Sequence, residues 1–392
     1  MIKYNILFIL VPSFNPNDGG VQMTTFKLAS QFSKLGHNVT VFSFSNIGNL
    51  NHESFKVIWA SKEKGSNNPQ NIRDLDKYID DIRPNVVVNQ MPYEWVVSEF
   101  LLRKKYELDF FLLACLRNTL FSVRLNIDEY ILNTIPKGIG LLFQNFFGRT
   151  LFQIIHKFRH AKDLRMILNV YDRFIMFGPQ NLDEIRYFIG DFKNEKLEYI
   201  PNSIPSILQE IPSKEKVVLY LGRVTRTQKK VELLLPLWKK LMDRIPDWEF
   251  WIVGEGDERS EIEFIIQDEN IARVRIWGKQ DPYMFYEKAS FFIMTSSFEG
   301  FPNTLIEAQS RGVVPVVMNT YPLLEWLIKD NHNAILIEPY DLDQMANEIF
   351  NLILDQERFA RIQKNALLNA RRFDIDTVGQ MWIKLFDKHF KN

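Results

Sequence analysis

The chain has 392 residues, 46% of them hydrophobic, which is enough apolar material for two or three domains with sizeable cores and too much for a disordered chain. Lysine plus arginine equals aspartate plus glutamate at 48 each, so the balance gives no general affinity for nucleic acid or other polyanions, and any basic surface is local. The single cysteine, Cys115, excludes an intrachain disulfide and, within the apolar run 110–116, is expected as a small buried hydrophobe.

The opening M-I-K-Y-N-I-L-F-I-L-V-P carries Lys3 and Asn5 and falls well short of the roughly 18–20 apolar residues that span a bilayer. It has no small-residue cleavage site, so it reads as a first strand rather than a signal peptide, and a cytoplasmic protein is expected. Residues 5–11 are apolar on both faces, the mark of a strand inside a parallel sheet. A polar loop over 12–20 and helical spacing over 21–35 follow; Gly36 ends the helix, and 37–44 read as the next strand. Such a strand–helix–strand unit implies a right-handed crossover. A helix over 75–82 and strands over 86–89 and 110–116 continue a Rossmann-like pattern.

The pattern restarts after Y-I-P-N-S-I-P-S-I-L-Q-E (199–210), whose two prolines favour a stiff, extended join. Strands are expected over 217–221, 249–253, 274–277, 291–295, 313–317 and 334–337. Helices are expected over 231–244, 343–355, 356–370 and 373–390. The fold class is therefore α/β with two Rossmann-like halves.

Residues with chemistry to offer sit at the carboxyl ends of these strands, where ligands bind in α/β sheets. Gly19 and Gly20 let a phosphate approach the backbone, and serve equally as a plain turn. Residues 114–122, A-C-L-R-N-T-L-F-S, end a strand with Arg117 and Asn118. In 219–230, L-Y-L-G-R-V-T-R-T-Q-K-K, Arg223 follows the strand and Lys229 comes six positions later. A planar guanidinium and a mobile ammonium suit a diphosphate, while Arg226 and Lys230 fit a solvated basic loop as well. The most informative stretch is 296–309, S-S-F-E-G-F-P-N-T-L-I-E-A-Q. Glu299 is expected in a loop and Glu307 inside a helix, with Gly300 and Pro302 breaking the chain between them and Asn303 as N-cap. Free N–H groups at that helix start form an anion site flanked by two carboxylates. A ligand with a diphosphate and sugar hydroxyls would use all three features, which is the chemistry of a nucleotide-sugar.

This string, with Arg311-Gly312 and the apolar run 313–317 behind it, resembles the C-terminal signature of retaining glycosyltransferases of family 4, the glycosyl transferases group 1. The resemblance covers most of the C-terminal half with specific motifs and the N-terminal half only loosely. It implies a GT-B fold, two Rossmann-like domains facing across a cleft. Residues 1–198 plus 373–392 would form the acceptor domain and 199–372 the nucleotide-sugar donor domain, the last helix returning to the first domain. It implies transfer of a sugar from a nucleoside-diphosphate donor, UDP favoured, to a hydroxyl of a glycan or lipid-linked acceptor, with retention of configuration, no metal and no cofactor. Surface polysaccharide synthesis is the implied context.

By the same resemblance Glu299 contacts the donor sugar, Glu307 holds the ribose hydroxyls, and Arg223 and Lys229 bind the diphosphate and stabilise its growing charge. Lys230 is an alternative to Lys229, because the spacing is one longer than in most members and no glycine follows. Gly300, Phe301, Pro302, Asn303, Thr304 and Leu305 complete the donor loop; Gly19 and Gly20 match the family's N-terminal glycine loop. Gly278 and Lys279 fall where the family presents backbone groups to the nucleobase, Trp277 beside them is read as core, and 254–256 resemble a chiefly structural glycine turn. Family members often carry a histidine where this chain has Arg117, and arginine cannot act as a base near neutral pH. Arg117, with Asn118, either contacts phosphate or an acidic acceptor, or is held in a structural ion pair. That departure leaves a second reading, a catalytically silent nucleotide-sugar-binding protein. An NAD-dependent oxidoreductase would need a G-x-G-x-x-G fingerprint after the first strand, which is lacking.

Residues 137–166 stand out by charge: six lysines and arginines face one aspartate, interleaved with Phe143, Phe146, Phe147, Phe152 and Phe158. The pattern suits an amphipathic helix on an anionic membrane surface, at the inner face of the plasma membrane, and equally a helix packed on the first domain with a solvated basic face. His156 and His160 share a helical face but have no further ligands in sequence, so no metal site is expected.

Overall fold

The computed structural model describes residues 2–11, 13–45, 54–63, 65–140, 143–193, 195–205 and 207–391. Pro12 of the expected first loop, residues 141 and 142 of the basic stretch and Ser206 of the expected join lie outside this set. The chain divides into two units, 1–203 with 375–392, and 204–374. The first boundary falls inside the expected join 199–210, and the second lies just beyond the expected 373.

Strand β1 (Asn5–Leu10) is apolar on both faces because it is central: β2 (Asn38–Ser43) pairs with one edge and β4 (Val86–Asn89) with the other. The sheet order of the first unit is β3-β2-β1-β4-β5-β6-β7, with every pairing parallel. Here β5 is Phe111–Cys115, and Cys115 is buried as expected. The sequence pattern missed β3 (Lys56–Trp59), β6 (Arg173–Met176) and β7 (Leu197–Tyr199). Each includes a charged residue, Lys56, Arg173 or Glu198, which breaks the continuous apolar run that marks a buried parallel strand. The helix expected over 75–82 starts earlier, at Pro69, where Asn68 caps it by accepting from the Gln70 N–H at 3.0 Å.

The second unit has the order β10-β9-β8-β11-β12-β13, again all parallel. The strands are β8 (Val217–Leu221), β9 (Glu249–Val253), β10 (Val274–Gly278), β11 (Phe291–Met294), β12 (Val314–Met318) and β13 (Ile335–Ile337). The helix expected over 231–244 is a 3-10 turn, Val231–Leu233, followed by Leu234–Leu241, which buries Leu234, Leu237, Trp238 and Leu241 against the sheet. The last helix, Ile375–Lys391, belongs to the first unit. Trp382 and Phe386 meet Phe32 edge-on at 6.4 and 5.8 Å, and the Tyr4 hydroxyl donates to Asp387 at 2.6 Å.

In both sheets the order reverses between two neighbours, β1 and β4 in one, β8 and β11 in the other. Helices leave to opposite faces at such a point, so the loops beyond the strand ends part and open a crevice where ligands bind.

Candidate functional site

The loop after β8 and the loop after β11 flank the reversal point of the second sheet, and their side chains meet there. Lys229 Nζ donates to Glu299 Oε1 at 2.5 Å, with the two side chains only 14% and 8% exposed. Gln228 Nε2 donates to the other carboxylate oxygen of Glu299 at 3.0 Å and to the Phe298 carbonyl at 3.1 Å. Its Oε1 accepts from Arg223 Nη2 at 2.8 Å. Arg223 is therefore linked to Glu299 through Gln228, while its guanidinium stays exposed. Backbone contacts lock the loops: Ser297 N donates to Gln228 O, and Thr295 Oγ1 to Lys229 O. The structure separates the two lysines: Lys230, at φ 53°, turns toward Glu232 at 3.8 Å, and Lys229 alone of the pair reaches Glu299.

The helix behind this pair, Asn303–Ser310, starts one residue earlier than expected. Pro302, which makes no side-chain cap, stands at the N-cap, and Asn303 is the first helical residue rather than the cap. Pro302 lacks the N–H that would be left over at that end, and its carbonyl accepts from Leu305 N at 3.0 Å. Gly300, Phe301 and Pro302 are buried, Phe301 edge-on against Phe373 at 5.7 Å; Asn303 and Thr304 are half-buried, and Leu305 is core. Glu307, 9% exposed, sits one turn in. Tyr286 and Tyr283 lie against it. Burial first, and the Glu307 charge second, push both phenols upward. Tyr321 is likewise pushed up by burial and then by Glu299. No motif or spacing pointed to these three tyrosines or to the bridging role of Gln228.

The glycine turns hold the loops in register. Gly254, at φ +144°, donates to the Gly278 carbonyl at 2.8 Å, and a Cβ on it would lie 1.8 Å from the Gly222 carbonyl oxygen. A Cβ on Gly256 would lie 2.1 Å from the Val224 carbonyl oxygen. These glycines let the backbone on either side of Arg223 touch the neighbouring loop. Gly278, at φ +66°, ends β10 with Lys279 exposed beyond it. Trp277, expected in the core, is 37% exposed, because β10 is an edge strand, and its ring packs on Trp251 and Phe285.

In the first unit Gly19 and Gly20 are exposed at the start of the Gly20–Lys34 helix, beyond β1. The N-cap of that helix is Gly19, which makes no side-chain cap. Arg117, beyond β5, donates from Nε to Gln90 Oε1 at 2.5 Å and from Nη1 to Asn202 Oδ1 at 3.2 Å. Its Nη2 is buried without a hydrogen-bond partner, and Arg117 forms no ion pair among the described residues. Burial pushes its ionisation downward. Asn118 is exposed, its Oδ1 accepting from Thr119 N at 2.9 Å. His156 and His160 stack on each other at 5.2 Å, His160 also meeting Tyr93 and Phe188, and burial pushes His160 down to about 4.

Residues 208–368 match the family described as Glycosyl transferases group 1, so the second unit carries a glycosyltransferase domain. Over 174 residues the chain is 29% identical to the GalNAc-alpha-(1->4)-GalNAc-alpha-(1->3)-diNAcBac-PP-undecaprenol alpha-1,4-N-acetyl-D-galactosaminyltransferase of Campylobacter jejuni, covering 44% of this chain and 48% of that protein. It is 22% identical over 376 residues to an uncharacterized glycosyltransferase of Haemophilus influenzae, covering 93% of this chain and 95% of that one. The chain thus spans less than half of the first relative and nearly all of the second. Among solved structures, Anabaena Alr3699/HepE in complex with UDP is similar with a TM-score of 0.72 at 16% identity, covering 98% of this chain and 100% of that chain. This likeness extends over both Rossmann-like units and gives the fold, GT-B.

Proposed function

We propose that the chain as a whole is a retaining glycosyltransferase. It moves a sugar from a nucleoside-diphosphate donor, UDP favoured, to a hydroxyl of a glycan or lipid-linked acceptor in surface polysaccharide synthesis, in the cytoplasm and at the inner face of the membrane. One observation carries the reading: the Lys229–Glu299 pair sits at the reversal point of the second sheet, directly ahead of a helix N terminus. The printed name of the Campylobacter relative, which includes an undecaprenol-diphosphate glycan, supports the acceptor class. The UDP of the Anabaena complex supports the donor class.

In this reading Arg223 and Lys229 take the charge that grows on the departing diphosphate, and the positive end of the Asn303–Ser310 helix dipole adds to it. Glu299 turns to the sugar hydroxyls and fixes the sugar for attack, and Glu307 holds the ribose. Retention follows from the family resemblance, by attack of the acceptor on the face from which the diphosphate leaves. Two protein cations do the work that a metal does elsewhere, so transfer is metal-independent. Arg117 and Asn118, with Gly19 and Gly20, serve acceptor or phosphate contact.

The test is a panel of nucleotide-sugars scored by thermal shift, then release of nucleotide with an extract of lipid-linked glycans as acceptor, with and without EDTA. The expected result is a rise in Tm with a UDP-sugar and transfer that survives EDTA. No shift with any nucleotide-sugar sinks the reading. A shift without transfer or hydrolysis favours the silent binding protein, which Arg117 in place of a histidine allows.

A further inference from the structure

The Phe146–Val170 helix presents an apolar face to solvent. Phe146, Phe147 and Phe158 are 76%, 81% and 73% exposed, and Leu151, Ile154 and Ile155 are exposed between them. Phe147, Leu151, Ile154 and Phe158 recur at helical spacing and form one stripe. A different face does the packing, burying Phe152, Ala161, Leu164, Ile167 and Val170. Exposed aromatic rings in a contiguous stripe mark a surface that is covered by something else.

Further along, the exposed side of the helix changes character, and Arg159, Lys162 and Arg165 stand exposed. The remaining cations of the stretch are committed or not described. Arg149 is held by both carboxylate oxygens of Asp128 at 2.7 Å, Lys157 lies over the Tyr187 ring at 4.4 Å, and the side chain of Lys137 lies outside the described set. The charge available to a surface is therefore smaller than the sequence count, and the apolar stripe is the larger feature.

We propose that this face seats the protein on an anionic bilayer, with Phe147, Leu151, Ile154 and Phe158 sinking into the acyl boundary and Arg159, Lys162 and Arg165 meeting lipid phosphates. The inference rests on the reading of the acceptor as lipid-linked. A bilayer interface offers the matching pair of layers, hydrocarbon and, about 5–10 Å above it, anionic headgroups. A second copy of this chain fits less well, because a two-fold contact through this helix would set the same three cations against each other or against apolar rings.

The test is co-sedimentation with phosphatidylglycerol-containing and pure phosphatidylcholine vesicles at low and high salt. The protein is expected to bind anionic vesicles, with weakened but measurable binding at high salt, since inserted apolar groups are not screened. The double variant Phe147→Ser/Phe158→Ser should lose at least about tenfold in vesicle affinity at both salts. The triple variant Arg159→Gln/Lys162→Gln/Arg165→Gln should lose the preference for anionic lipid. A Leu151→Trp variant, which leaves both rings in place, should show a blue-shifted emission on vesicles. A protein that stays in the supernatant with anionic lipid at low salt overturns the proposal, as does a double variant that sediments like the parent. A lipid-free dimer dispersed by the double variant assigns the face to a second copy and also overturns it. Donor hydrolysis is expected at the parental rate in both variants. Lost hydrolysis in the parent with vesicle binding intact would strike the sugar-transfer reading and leave this one standing.

Discussion

In the proposed reading, Lys229 would reach a donor diphosphate by exchanging the Glu299 carboxylate for phosphate, because the two are paired at 2.5 Å and mostly buried. That exchange ties two roles together. The lysine would gain an anion with more charge, and the carboxylate would be released toward sugar hydroxyls beside the same helix start. Glu299→Gln should therefore separate binding from turnover. A neutral amide competes less for the ammonium, so UDP affinity should hold or tighten, while kcat should fall by about 100-fold or more as the sugar loses its fixed acceptor. Calorimetric UDP titration beside steady-state kinetics checks the split. Weakened UDP binding with an unchanged kcat would reverse the assignment. Gln228 matters on the same grounds, since it spans from Arg223 to Glu299 and keeps the arginine near the pair.

At the scale of elements, the loops after β8, β9 and β10 are held together by backbone contact between glycines. Gly222 N donates to the Val253 carbonyl at 3.0 Å, and Gly254 N to the Gly278 carbonyl at 2.8 Å. The positive φ of Gly254 and the 1.8 Å clash that a Cβ would make with the Gly222 carbonyl oxygen leave no room for a side chain. Gly254→Ala should destabilise by about 2–3 kcal/mol, and it should displace the loop that carries Arg223. A lower midpoint of thermal unfolding together with a reduced UDP-induced shift is the expected pair of readings. A variant with parental Tm would show that the loops yield without cost.

For the molecule as a whole, the chain's return to the first unit is the step that closes that unit's core. Trp382 is 2% exposed and Phe386 fully buried, on the Phe32 and Tyr4 side of the sheet. Without the Ile375–Lys391 helix the outer face of the Gly20–Lys34 helix would be left uncovered. Trp382→Ala should cost about 3–5 kcal/mol. The neighbouring Met381→Ala, at a site 38% exposed, should cost little. Denaturant midpoints of the two variants make the comparison. Equal midpoints would mean that the last helix adds little to the unit. Among the described residues no helix is long and apolar enough to cross a membrane.

Local pattern by itself determined the two Rossmann-like halves, the place of most central strands, and the loop that carries Glu299 and Glu307. A buried parallel strand is a continuous apolar run, and a helix start after a proline and glycine is a short-range signal. The strands β3, β6 and β7 escaped because a charged residue in each, Lys56, Arg173 or Glu198, breaks that run. What needed the tertiary structure was the choice of partners. Lys229 and Glu299 are 70 positions apart, and they meet because β8 and β11 are neighbours at the point where the sheet order reverses. That neighbourhood also selected Lys229 over Lys230, brought in Gln228, and set Tyr283 and Tyr286 against Glu307. The same holds for the basic stretch. Composition counted its cations, but only packing decided which of them are committed to Asp128 and Tyr187 and which apolar residues remain in water, because burial depends on what the fold brings up against each face of the helix.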